Sequence, residues 1–370
     1  MIQPDPISRA MEAAVEEGVF PGAVLAVRLR GSLLIHRAFG RAALVPKEEP
    51  ARLDTIYDLA SLTKPLATAT ATLCLVQSGR LDPDDQVGHL IEELKEKPVG
   101  AATVLHLLSH CSGLPAWRPF YERVSERDHR ESGFLGSSAA RGLVLSLIGD
   151  EPLESPIGER ARYSDLGFIL LGLIVERLAG CSLARFVTER VYRPVGAELF
   201  FVEQGTHPVD PARIAPTEQD PWRGRLIRGE VHDENAYALG GVAGHSGLFG
   251  TAEAVLDISG CWLNGYLERD SPLQPALVRR FASRQAHPAR SSWGLGWDTP
   301  SAPSSSGTKF SPSSFGHLGY TGTSLWVDPE RELEVVLLTN RVHPTRQNEA
   351  IRAFRPKIHD IIYQELIAEN

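Results

Sequence analysis

The two ends of this chain carry the pattern of strands and the stretch between them reads as helix, an order that restricts the folds open to it. Residues 22–31 run Gly-Ala-Val-Leu-Ala-Val-Arg-Leu-Arg-Gly, and past the turn at Gly31-Ser32 residues 33–39 run Leu-Leu-Ile-His-Arg-Ala-Phe. Two β-rich runs around a glycine turn predict a hairpin. Strands return only late, at residues 324–328 and 334–339. From 65 to about 201 the periodicity is mostly helical, with a strongly apolar helix over 167–178 and a shorter apolar segment over 143–148. Amphipathic helices are predicted at about 6–17 and 347–367, while 205–233 is rich in Pro, Arg and Asp and reads as irregular. The fold class is therefore α+β: an antiparallel β-sheet formed from both termini, flanked by helices, with an inserted mostly helical region. We expect a single domain over 1–370, its α/β part at about 1–65 and 235–370 and its helical part at about 66–234.

Composition narrows the function classes. With 370 residues, 42% of them hydrophobic, the chain can bury one large core or two modest ones. A net charge of −8 and the lack of a dense basic patch argue against nucleic acid. The longest apolar run, 168–175, is too short to cross a bilayer, and residues 1–6 lack the basic and apolar regions of a signal peptide. The expectation is a cytoplasmic protein without a membrane partner. Cys74, Cys111, Cys181 and Cys261 are scattered, three within apolar segments, and predict buried free thiols rather than disulfides or zinc ligands. No His-Glu-x-x-His or comparable set occurs, so no metal and no cofactor are expected.

One tetrapeptide within this frame carries chemistry. Ser61-Leu62-Thr63-Lys64 puts a hydroxyl and an amine one helical turn apart, at i and i+3, where the buried helix 65–75 begins. A serine hydroxyl needs an adjacent base, and a lysine can be one if burial lowers its pKa, whereas arginine cannot. Only six of the 38 basic residues are lysines, so a lysine at 64 stands out in an arginine-rich chain. Pro65 fits a first helical turn and sets Ser61 at the positive end of the helix dipole, although the residue before a proline avoids the α region and a 3₁₀ turn is the alternative. An ordinary N-capping serine is the competing reading. A second copy, Ser306-Gly307-Thr308-Lys309, lies in the Pro/Ser/Gly-rich stretch 299–314 and reads as loop.

Two further segments add to it. Tyr163, in the turn before the helix 167–178, can present its hydroxyl to a cleft, where a nearby Lys64 would favour the phenolate and make it a proton shuttle. A tyrosine that merely packs is the alternative. Residues 315–324 read Phe-Gly-His-Leu-Gly-Tyr-Thr-Gly-Thr-Ser, glycine-rich enough for a substrate to approach the backbone closely. An N–H there, with that of Ser61, would make a two-donor oxyanion hole.

In this order the three segments resemble the serine β-lactamase and penicillin-binding protein superfamily. The likeness is to its class C-like branch of β-lactamase-fold esterases, D-alanyl-D-alanine carboxypeptidases and D-aminopeptidases. That branch reads Ser-x-x-Lys, Tyr-x-Asn, then Lys-Thr-Gly or a His-containing equivalent. Residues 103–115 and 235–249 also look like the family's connecting segments, and the likeness covers roughly residues 8–365. It implies that Ser61 is the acylated nucleophile, that Lys64 assists its deprotonation, and that Tyr163 passes the serine proton to the leaving group. It also implies that the N–H groups of Ser61 and Tyr320, beside Gly319, hold the oxyanion, and that His317 replaces the third motif's lysine.

Two departures bear on substrate. The second motif ends in Asp165 rather than Asn, and the third reads His317-Leu318-Gly319, which removes a permanent cation and a hydroxyl; near pH 7 a histidine is only partly charged. Both changes favour small esters or amides over penicillin-type substrates. Arg346 lies where related enzymes often bind a substrate carboxylate, with a solvated arginine as the alternative. Gly244-His245-Ser246-Gly247-Leu248 is not a Gly-x-Ser-x-Gly elbow, and His245 is read as shaping a loop at the cleft mouth. His106 and His110 fall on an apolar stretch and read as satisfied core histidines, and the mixed-sign run 92–97 as a solvated face. The sequence thus predicts a serine hydrolase acting on a small-molecule ester, amide or β-lactam substrate. A β-lactamase or D-alanyl-D-alanine carboxypeptidase and a catalytically silent ligand receptor are the alternatives.

Overall fold

A computed structural model describes residues 5–206 and 208–368; positions 1–4 of the stretch read for a leader lie outside it. The termini build one six-stranded antiparallel sheet, in the order Glu49–Pro50, Ser32–Ala43, Gly22–Leu29, Leu333–Thr339, Ser324–Asp328, Phe315–Leu318. The N-terminal hairpin pairs directly with the last strand, from Ala23 opposite Thr339 to Leu29 opposite Leu333. Because side chains alternate across a strand, Leu25 and Val27 face one layer while Val24 and Ala26 face the other. The first layer is closed by the helices Pro6–Glu16 and Ile351–Tyr363, through Met11, Phe354 and Ile358, with Phe20 of the link between helix and strand packed among them. The second is closed by the helix Ala252–Tyr266 and the helical region beyond it. Burial on both faces explains why these strands are continuously apolar instead of alternating with polar residues.

The helical region centres on two buried segments. The chain around and after Ser61 forms a 3₁₀ turn at Ala60–Leu62, a π turn at Lys64–Ala69, then the α-helix Thr70–Gln77. Pro65 has no N–H to donate, and the Thr70 hydroxyl donates to the Pro65 carbonyl at 2.7 Å within the widened turn. The helix Asp165–Ala179 packs beside it, started by Ser164 as its N-cap and ended by Gly180 at φ +71. Residues 208–233 are largely irregular, as expected, apart from a 3₁₀ turn and a short hairpin. Two sequence expectations change. The C-terminal α-helix begins at Ile351, four residues later than expected. Cys111 and Cys261 are buried, but Cys74, within the helix Thr70–Gln77, and Cys181, in the link after Gly180, are only half-buried; all four thiols are free. Among the described residues, no single helix is long and apolar enough to cross a membrane.

Candidate active site

Ser61 is held by a short, strained turn. Ala60, before it, has a left-handed φ of +48, a conformation costing a residue with a Cβ about 1–2 kcal/mol. Strain of this kind persists only where surrounding bonds over-determine it. Here Asp58, 2% exposed, accepts from the Ala60 N–H at 2.8 Å and from the His232 N–H at 2.7 Å. The hydroxyls of Thr321 and Thr323 donate to the Asp58 and Leu59 carbonyls at 2.7 and 3.0 Å, fastening the glycine-rich segment to the serine's own. The Thr63 hydroxyl donates to the Ala60 carbonyl at 2.6 Å.

Lys64 is fully buried, and three acceptors surround its three protons. Nζ lies 3.0 Å from Ser61 Oγ, 3.1 Å from the His245 carbonyl oxygen and 2.7 Å from Asp165 Oδ1. Burial alone would lower its pKa, as the sequence reading assumed. The carboxylate of Asp165, with help from Tyr163, outweighs burial and raises it. Lys64 is thus a saturated ammonium rather than a free amine, with Asp165 as its counter-ion. The Tyr163 ring lies 4.7 Å from Nζ, with its phenol in hydrogen-bonding reach of both Lys64 and Ser61. The expected phenolate is not favoured either. Burial, reinforced by the Asp165 charge, pushes the phenol up to about 12 against the pull of Lys64.

His317 also departs from expectation. It is 2% exposed, and Nδ1 donates to the Leu318 carbonyl at 2.8 Å. Burial, together with Lys64, drops its pKa to about 3, so it is neutral and not partly charged near pH 7. It forms an aromatic wall with Trp293 and Tyr163, at ring separations of 5.7 and 6.0 Å. His110 completes that wall, 4.7 Å from the Tyr163 ring and 4.5 Å from Trp293, accepting from the Ser164 N–H at 3.1 Å. It is therefore no remote core histidine. His106 lies apart, closing a capping box with Thr103. Gly319 needs its lack of a side chain, since a Cβ would meet Thr323 Oγ1 at 1.9 Å and the Leu59 carbonyl oxygen at 2.6 Å.

A cleft of about 350 Å³ opens above Ser61, with Trp117, Tyr163, Asp165, Tyr320 and Arg346 among its lining. Arg346 is not a free cation. Its Nε lies 2.5 Å from Glu218 and its Nη2 2.8 Å from Glu234. Although burial opposes it, those two carboxylates raise its pKa, while Glu218, despite its own burial, is held down to about 2 by His232 and Arg346. His232 bonds Glu218 through Nε2 at 2.9 Å and stacks on Tyr320 at 5.8 Å. His245 lies beneath the cleft rather than at its mouth. It is 1% exposed, its carbonyl holds Lys64, and its ring meets Asp233 at 2.8 Å. Burial works against ionised Asp233, yet His245 keeps that carboxyl well below its usual range. His232, Asp233 and Trp293 were not singled out from sequence, because each reaches the site across a long chain separation; Asp58, three residues before Ser61, carries no motif signal of its own, and His110 reads in sequence only as a core histidine.

Residues 7–357 match the family described as Beta-lactamase. A relative from Escherichia coli O157:H7, described as a putative D-alanyl-D-alanine carboxypeptidase, is 32% identical over 365 residues, covering 91% of this chain and 82% of its own. A Salmonella agona relative of the same description is 30% identical, covering 90% and 81%. Among solved structures, EstCE1, described as a hydrolase with promiscuous acyltransferase activity, superposes with a TM-score of 0.74 at 22% identity over 96% of this chain and 97% of its own. Simvastatin synthase (LovD) from Aspergillus terreus gives 0.73 at 23%, covering 98% and 99%. The octameric penicillin-binding protein homologue from Pyrococcus abyssi gives 0.70 at 22%, covering 98% and 80%. At these identities the solved structures establish the fold; the match along nearly the whole sequence and the nearer relatives establish more, and the chain belongs to the Beta-lactamase family, a hydrolase of that fold.

Proposed function

We propose that this protein, acting as a single catalytic unit, hydrolyses a small, uncharged ester or amide through an acyl-enzyme on Ser61. The observation carrying the reading is the convergence of Ser61 Oγ, the saturated Lys64 ammonium and the Tyr163 phenol at one cleft. Among the described residues no acceptor takes the N–H of Ser61 or of Tyr320, which leaves both for an oxyanion. Ser61 Oγ attacks the substrate carbonyl carbon. Its proton moves to the Tyr163 oxygen as the phenol's own proton moves to the leaving group, so no phenolate accumulates. Lys64, charged throughout, stabilises the negative charge that builds on Oγ. Water then attacks the acyl carbonyl and returns its proton by the same route in reverse.

The lining supports an uncharged substrate. Asp165, Asp233 and Glu234 border the cleft, and Arg346 is already matched by two carboxylates. The description of the nearer relatives favours a second reading, a D-alanyl-D-alanine carboxypeptidase, whose substrate would bring a carboxylate. Intact-protein mass spectrometry after exposure to a fluorophosphonate, p-nitrophenyl butyrate and nitrocefin, wild type beside Ser61→Ala, tests the proposal. A fluorophosphonate adduct that requires Ser61, with ester turnover and little nitrocefin cleavage, is the expected result. Rapid nitrocefin cleavage would favour β-lactam-type substrates; absence of any adduct would refute nucleophilic catalysis and leave a ligand receptor.

A further inference from the structure

The peptide linking Gly319 to Tyr320 carries a buried charge on its far side. Arg355, on the C-terminal helix Ile351–Tyr363, donates from Nη2 to the Gly319 carbonyl at 3.0 Å and to the Thr323 carbonyl at 2.8 Å. It is 5% exposed, and among the described residues no carboxylate pairs with it; the charges felt nearby are those of Arg341 and Arg352. Burial, with those two neighbours, lowers the guanidinium to about 9, which leaves it charged at neutral pH. Buried charges are usually paired, because removing them from water is costly. This one meets only peptide carbonyls. Arg341 treats the next peptide alike, donating from Nε to the Tyr320 carbonyl at 2.9 Å while its guanidinium lies 4.5 Å over the Tyr320 ring.

The Gly319 carbonyl and the Tyr320 N–H belong to one conjugated amide. A charged donor on the oxygen draws electron density toward it and makes the N–H a stronger donor, as in any chain of mutually polarising hydrogen bonds. We infer that Arg355 is a positioning residue that strengthens the Tyr320 N–H toward an oxyanion by fixing a positive charge on the Gly319 carbonyl from the opposite side of the sheet edge. The inference rests on the acyl-enzyme reading above. Arg355 touches no substrate. Its effect falls on the reacting carbonyl, so it moves turnover more than substrate affinity.

Two variants separate charge from packing. Arg355→Lys keeps the charge, and Arg355→Gln keeps an N–H donor without it. Each is acylated with a hindered p-nitrophenyl ester labelled with ¹³C at the carbonyl, the Ser61 adduct is verified by mass spectrometry, and the acyl carbonyl stretch is read by infrared difference spectroscopy. Expected in Arg355→Gln is a higher-frequency stretch and a kcat for p-nitrophenyl butyrate lowered about tenfold with KM within twofold, short of the ~10²–10³ lost when a donor is deleted outright. Arg355→Lys should recover most of both. Equal values in the two variants, whether wild-type or reduced, would overturn the inference. If neither variant folds, the wild-type spectrum decides, since a stretch no lower than that of the free ester in water means the hole is not polarised. Failure to acylate Ser61 at all would instead overturn the acyl-enzyme reading and this inference with it.

Discussion

Replacing Asp165 by asparagine is the sharpest test of how this site handles protons. The carboxylate lies 2.7 Å from a fully buried Nζ, and its own side chain is 17% exposed. At an effective dielectric of about 20 the bare attraction at that distance is ~6 kcal/mol, a ceiling rather than a net value. Exposed pairs return up to ~1 kcal/mol, and breaking a buried one costs ~3–5 kcal/mol. With one partner enclosed and the other nearly so, we take about 3 kcal/mol for the pair. The sign follows from the competing causes. With the carboxylate gone, burial becomes the main influence left on Lys64, and its pKa falls. Tyr163 moves the same way, because the Asp165 charge helps hold its phenol up. Because the proposed mechanism uses Lys64 as an ammonium and Tyr163 as a phenol, stopped-flow acylation by p-nitrophenyl butyrate between pH 5 and pH 10 should show the falling alkaline limb of Asp165→Asn displaced toward acid. In the wild type the raised Lys64 pKa contributes stability that is full below the unfolded value of ~10.4 and lost only as pH rises through the folded one. Urea unfolding should accordingly place the variant about 3 kcal/mol lower near pH 6–7. The gap should narrow above the variant's own Lys64 pKa, where its buried amine is already neutral. A limb at the same pH in both proteins would refute the idea that Asp165 keeps Lys64 protonated.

Other consequences can be checked with the same substrates. Tyr163→Phe should slow acylation by about 10²–10⁴, the usual range for a positioned proton carrier, with little change in urea midpoint; a near-normal rate would remove Tyr163 from the relay. His317→Lys restores the third motif's charge but buries a second ammonium near Lys64, so we expect ~3 kcal/mol or more of destabilisation and no better use of carboxylate-bearing esters. A stable variant with improved use of such esters would show that the buried wall is not the obstacle. Glu234→Gln removes one of the two carboxylates on Arg346 and should lower KM for p-nitrophenyl monosuccinate relative to p-nitrophenyl butyrate about fivefold, equivalent to ~1 kcal/mol. An unchanged ratio would mean that Glu218 alone neutralises the arginine.

Local pattern made the fold and the candidate reacting residues legible. The apolar runs at 22–29 and 333–339 are continuous because both faces of their strands are covered, and Ser61 and Lys64 lie within one turn, so spacing alone puts their side chains together. Charge states were not legible, because they depend on partners far along the chain. Lys64 looked like a base whose pKa burial would depress; the group that reverses this is 101 residues away, from Lys64 to Asp165, and reads in sequence as an altered motif ending. Arg346 looked available until Glu218 and Glu234, from a segment read as irregular loop and the turn after it, closed on it. His317 looked titratable because nothing in a glycine-rich run announces that Trp293 and His110 will enclose it.

Taken together, the charges at this site divide into two sets with different reach. Those beside Ser61 and on the cleft lining are matched inside the protein: the buried Lys64 by Asp165, and Arg346 by Glu218 and Glu234. An incoming carboxylate therefore finds no uncommitted cation on the described lining, and would have to compete with one already in place. Those behind the glycine-rich edge, Arg341 and Arg355, meet carbonyl oxygens instead of carboxylates, so their field is not cancelled at short range. It is carried through two peptide planes to the backbone around Tyr320. A charge delivered that way acts at a fixed point and contributes little to ground-state attraction for an anionic substrate. It gains effect as negative charge develops on the reacting oxygen, the condition under which an interaction raises turnover rather than affinity. If Ser61 forms the proposed acyl-enzyme, a cation held behind the oxyanion peptide would favour turnover without offering a ground-state site to a substrate carboxylate.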